Sequence, residues 1–248
     1  MDNKIIETLN IISQSFNVYI DKIDQITDYH KVLIEAINSI NKSLYPLLEN
    51  LNNNQKYLEN LYEKYGQYGW TIPPNMETLW LKDVKDIKEA NKFMGKYCKT
   101  KDINKIFSIL LNNEKINRND ILEAMNCYKN KFYKSCILLL FSIIDGFLIK
   151  LQSSQNRSVS TANNSIKNLT DNKHEMFILY LDGKNIGSCI SELYKYANNF
   201  KIDCSKLNRN VVSHGMIERD VRRIDCKKIF LLLYNLLNFV NFYHIETL

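Results

Sequence analysis

From Ile5 onward, apolar residues recur at alternating spacings of four and three through Leu9, Ile12, Phe16 and Tyr19 to Leu44, Leu47 and Leu51, with His30 on the same seam. That is a heptad seam. With no Gly or Pro before Pro46, it predicts one long helix over residues 4–65, kinked where Pro46 removes a backbone hydrogen bond. His30 reads as a register-setting polar residue facing another helix. The run GQYGWTIPPN at 66–75 marks a corner, and helices are predicted within 77–111, over Glu77 to Tyr97 and Asp102 to Leu111. Asp120 with Glu123 makes a capping box that opens a helix to Leu151, bent near Asn130. A Ser/Asn/Gln-rich loop at 152–165 precedes helices at Asp171 to Tyr180 and Ile186 to Asn199. A short helix follows over Cys204 to Ser213, ending near Gly215, and the last runs from about Arg219 to Tyr243. The pattern is all-α: an N-terminal helical region at 1–118 and a helical bundle at 119–248.

Composition sharpens this. Only 7 Gly and 3 Pro punctuate 248 residues, too few turns for a β-sandwich or barrel. Two apolar runs, Cys136 to Ile149 and Ile229 to Tyr243, are short and broken, one by Asp145 and the other by Asn235, Asn238 and Asn241, so they read as buried core helices and no membrane span is expected. The 6 cysteines are scattered, with no C-x-x-C pair and no His at ligand spacing, as thiols buried in a reducing cytosol would be. The N-terminus lacks the pattern of a signal peptide, so a cytoplasmic location is expected. A net charge of +6 suits an anionic partner. Arginine is concentrated: Arg209, Arg219, Arg222 and Arg223 lie near the C-terminus, where guanidinium geometry is needed if anywhere.

There is no Walker loop, dinucleotide fingerprint, G-x-S-x-G or H-E-x-x-H, and no tight carboxylate cluster, so neither a cofactor nor a metal is expected. What remains is Arg209-Asn210-Val211-Val212-Ser213-His214 followed by Gly215. An imidazole with its pKa near neutrality can take or give a proton, and a guanidinium can hold two oxygens of one anion in a plane. Residues five apart on an α-helix are rotated by about 140°, so for Arg209 and His214 to act together either the helix ends or loosens near His214 or the long Arg209 reaches around. Gly215 permits the first.

The C-terminal part resembles the HEPN family over residues 120 to 245. A helix with Tyr128 and Tyr133 leads into an apolar helix bearing Asp145; a polar linker and shorter helices follow, then R-N-x-x-x-H-G and a final amphipathic helix. The resemblance implies a metal-independent endoribonuclease acting as a toxin or phage-defence effector, with Arg209 and His214 as catalytic pair at a homodimer interface. Asn210 matches the polar position after the Arg, and Asp145 an acidic position whose other reading is an acid paired with a neighbouring Lys or Arg. Its implied partners are RNA and an antitoxin or regulatory protein. Met216 stands where some toxins of the family carry a modifiable Tyr, so that control is not expected here. Arg219, Arg222 and Arg223 oppose the dipole of the last helix and either pair with Glu218, Asp220 or Asp225 or contact RNA phosphates. Two other readings compete: a HEPN-like module binding RNA or nucleotides without cleavage, and an interaction, antitoxin or immunity protein built on the heptad helix.

Overall fold

The two apolar runs, from Cys136 and from Ile229, become buried helices. The computed structural model describes residues 39, 42, 53–73, 76–77, 80–151, 177–195 and 207–242; the heptad seam with His30, the 152–165 loop and Cys204 lie outside the described residues. Every regular element among the described residues is helical, and no strand occurs. The helices are α1 (53–67), α2 (Ile87–Met94), α3 (Thr100–Leu111), α4 (Arg118–Lys129), α5 (Tyr133–Lys150), α6 (Phe177–Leu193), α7 (Arg209–Ser213) and α8 (Arg223–Phe242). None is long and apolar enough to cross a membrane.

The chain divides into two compact units, residues 1–60 with 174–178 and residues 61–173 with 179–248. In the smaller, residues 53–60 are helical, and Gln55 Nε2 donates to Glu59 Oε1 at 2.9 Å. The expected division at 118/119 is not where the units part. Residues 61–118 fold into the larger unit because α3 buries Ile103, Ile106, Phe107 and Leu110 and packs against α4 and α8. All that follows concerns this larger unit.

Its centre is α5, which packs against α4 and α8. Leu140, Ile144 and Leu148 of α5 and Ile229, Phe230, Leu233 and Leu236 of α8 are fully buried, each side chain contributing about 1.5–3 kcal/mol. Phe107, Tyr128 and Phe230 meet edge to face, with centroids 4.7 to 5.8 Å apart. The corner after α1 is fixed by buried amides. Asn185 donates to the Tyr62 and Trp70 carbonyls at 2.8 and 3.0 Å and accepts from Ile72 N–H at 2.9 Å, while Asn235 donates to the Ile72 carbonyl at 2.7 Å.

Several boundaries differ from the sequence expectation for local reasons. The helix expected from Glu77 starts only at Ile87, because Asp86 accepts from Glu89 N–H at 2.8 Å and caps it there. Asp120 sits in the first turn of α4 rather than capping it; Asn117 is the cap, accepting from Asn119 N–H at 2.9 Å. The expected bend near Asn130 is a full break. Lys131, at φ 66°, sits in the left-handed region and donates to the Tyr128 carbonyl, and Phe132 donates to the Cys127 carbonyl, which closes a Schellman turn between α4 and α5. The two helices expected around residue 183 are one, since α6 runs unbroken from 177 to 193 through Gly183 and Gly187. The last helix begins at Arg223, not Arg219, because Asp225 in its first turn accepts from Arg222 N–H at 2.8 Å and ends the preceding loop.

A candidate active site around Arg209

Short helix α7 exists because both its ends are capped. Asn208, buried at 3% exposure, accepts from Asn210 and Val211 N–H at 3.0 and 3.2 Å, and its amide donates to the Lys195 carbonyl at 2.9 Å. This ties α7 to the end of α6. Val211 and Val212 are the buried face, and α7 packs on α5. At the other end His214 is the C-cap and Gly215 takes φ +72°, with Gly215 N–H donating to Val212 O at 3.1 Å and Met216 N–H to Val211 O at 2.9 Å. That is a second Schellman turn, and its left-handed position is one that glycine occupies without strain. The helix therefore stops at Ser213, the first of the two arrangements that the spacing of Arg209 and His214 allows, and His214 is exposed beyond its end.

Arg209 turns back onto α5. Its Nε and Nη2 donate to Asp145 Oδ2 at 3.0 and 2.6 Å, and Nη1 donates to Asn210 Oδ1 at 3.2 Å. The other Asp145 oxygen accepts from Tyr194 O–H at 2.6 Å, and the Tyr194 ring lies edge-on to Phe141. Burial and the neighbouring Asp145 carboxylate hold the Tyr194 phenol well above its ordinary range, so it stays a hydrogen-bond donor. Asp145 is 14% exposed and Arg209 33%, so the carboxylate is committed to the protein while part of the guanidinium faces out. A guanidinium has five N–H donors; three are used here, and two are left for an anion.

The structure thus brings Asp145, Arg209 and Asn210 into one network, at a helix whose end presents His214. The pairing of Asp145 with a neighbouring Lys or Arg is met by Arg209. Sequence reasoning missed Tyr194 and Asn208. Asn208 was legible, an Asn directly before a short helix being a standard N-cap signal, whereas nothing in the sequence marks Tyr194.

The three arginines further on have separate roles. Arg219 clamps Asp225 with two bonds of 2.7 and 3.0 Å, which supplies the anion that the α8 dipole calls for. Arg223 donates to Tyr128 O–H at 3.0 Å and lies over that ring at 5.2 Å. Arg222 is exposed, and its side chain bonds to no described residue. Among the described residues no group of three or more His, Cys, Asp or Glu side chains is placed to hold a metal ion. No family model matches this sequence, and comparison with curated proteins and with solved structures found no significant similarity.

Proposed function

We propose that the protein is a metal-independent endoribonuclease of the HEPN type, a toxin or phage-defence effector. The observation that carries this reading is the Arg209 guanidinium, held by Asp145 and Asn210 on a helix that a left-handed glycine terminates at His214. In the proposed reaction the substrate's own 2′-oxygen attacks phosphorus while the bond to the 5′-oxygen breaks. One His214 takes the 2′-OH proton and a second, from another copy across a two-fold axis, gives a proton to the leaving oxygen. The two outward N–H groups of Arg209 bind the non-bridging oxygens, whose negative charge grows in the phosphorane. Asp145 and Tyr194 keep the guanidinium plane fixed and are positioning residues.

The products are a 2′,3′-cyclic phosphate and a 5′-hydroxyl, so DNA is inert. Single-stranded or loop RNA is favoured, because the 2′-oxygen must swing in line with the leaving group and a stacked duplex resists that. The test incubates the purified protein with RNA in EDTA, and again with a substrate whose scissile ribose is 2′-deoxy. Cleavage is expected to persist in the first and vanish in the second. Loss of activity in EDTA, or cleavage of the deoxy substrate, would falsify the mechanism.

A further inference from the structure

A cavity of about 460 Å³ lies on the larger unit where the turn after α1, helix α2, the end of α6 and the start of α8 meet. Its apolar wall includes Ile87, Leu193 and Leu207, and the acidic residues Glu192, Asp220 and Asp225 also line it. Lys228 lines it from within and is 4% exposed. That ammonium is unusual. An ammonium carries three donors, and Lys228 makes one hydrogen bond, 2.6 Å to the Tyr68 carbonyl, with the Trp70 ring at 5.2 Å. No carboxylate of the described residues is within ion-pair distance of it; the nearby Asp225 is already clamped by Arg219. Burying a lysine without an acid partner costs stability, and burial depresses its proton affinity, to a pKa of about 8. A packed core would have used an apolar residue of the same volume. At the same cavity stands Arg222, exposed and without a side-chain bond to any described residue.

We propose that this cavity is a binding site for a small organic anion, with its charged head on Lys228 and Arg222 and an apolar body against Ile87, Leu193 and Leu207. The head gives Lys228 a direct ion pair, which Asp225 does not, and the volume is that of a small-molecule site. A compact phosphate or carboxylate meets the two unused Lys228 donors and the Arg222 fork. The cavity includes none of Asp145, Tyr194, Arg209 or Asn210, and the proposal does not depend on the ribonuclease reading.

Calorimetric titration of the full chain at fixed ionic strength, with phenyl phosphate, benzoate and inorganic phosphate as probes, tests it. Saturable binding is expected for phenyl phosphate or benzoate, whichever head fits, and weaker binding for inorganic phosphate, which lacks the apolar body. Lys228→Met should cut affinity at least about tenfold, as loss of a charge-assisted hydrogen bond does, while its urea midpoint stays at or above that of the wild type. Arg222→Gln, at an exposed position, keeps the test open if Lys228→Met fails to fold, and should weaken binding several-fold. The proposal is overturned by any of three results: no saturable heat from the wild type with any probe, undiminished affinity in the Arg222→Gln protein, or displacement of the probe by an RNA oligonucleotide, which would make the cavity a seat for polymer phosphate.

Discussion

Arg209 spends three of its five N–H donors inside the protein, and the quality of those bonds decides where the other two point. Asp145→Asn keeps the shape but loses the charge-assisted bonds, so the proposed cleavage should fall about 100-fold, in kcat more than in KM, because orientation and not contact is lost. Tyr194→Phe removes one bond to the same carboxylate and should cost less, about tenfold or under. Arg209→Lys should be nearly as damaging as Arg209→Ala, since an ammonium cannot span two phosphorane oxygens. Rate constants for these four variants, each checked for helicity, test the order. A Tyr194→Phe protein weaker than Asp145→Asn would contradict a positioning role centred on the carboxylate. His214→Ala should lose about 10² to 10⁴ in rate.

The helices end where backbone geometry allows, and two positions expose the cost. Lys131 takes φ 66° at the break between α4 and α5, a conformation that costs an L-residue about 1–2 kcal/mol. Lys131→Gly should therefore stabilise the protein, by up to about 1 kcal/mol once the greater freedom of an unfolded glycine is subtracted. Gly66 is the opposite case. A Cβ there would lie 2.6 Å from the Asn185 carbonyl oxygen and 2.9 Å from the Cys189 nitrogen, both backbone atoms that cannot step aside. Gly66→Ala should cost about 1–3 kcal/mol by forcing α1 and α6 apart. Urea unfolding of both variants measures the two signs, and a stabilised Gly66→Ala would mean that the close approach of these helices is not tight.

For the whole molecule, buried thiols set the alkaline limit. Burial pushes Cys98 and Cys189 up to about 12, and a hydrogen bond with Cys136, reinforced by burial, raises Cys226. Above about pH 9 an unfolded chain releases thiol protons that the folded chain keeps, so stability falls as pH rises, by about 1.4 kcal/mol per pH unit for each thiol. Lys228, depressed to about 8, and Lys227, also lowered, work the other way, since each sheds its proton earlier when folded and so gains stability up to about pH 10. Three thiols outweigh two lysines, and above the lysine range no shift among the described residues opposes them. The urea midpoint under reducing conditions should fall between pH 9 and pH 11 with an unchanged slope. Assembly is the other property at this scale. One Arg and one His per chain are a thin catalytic set, so the active species should sediment as a homodimer joined through residues 209–216, where Met216 is 47% exposed. A fully active monomer would contradict the proposed reaction.

The sequence by itself determined the helical class, the two apolar helices that become α5 and α8, and the Arg209 to Gly215 segment with a glycine placed to end its helix, because periodicity and a glycine's conformational freedom are local properties. It read Asp145 as a candidate without naming its arginine. Only the tertiary structure paired them, since 64 residues separate Asp145 from Arg209 and no local rule spans that distance. The same holds for Tyr194, an ordinary aromatic until α6 delivers it to Asp145, and for Lys228, one lysine among many until folding buries it against Tyr68 and Trp70. Where helices stop was decided by side chains competing for the same backbone groups, so Asn117 capped α4 in place of Asp120 and Asp225 held the start of α8 four residues later than its hydrophobic pattern suggests.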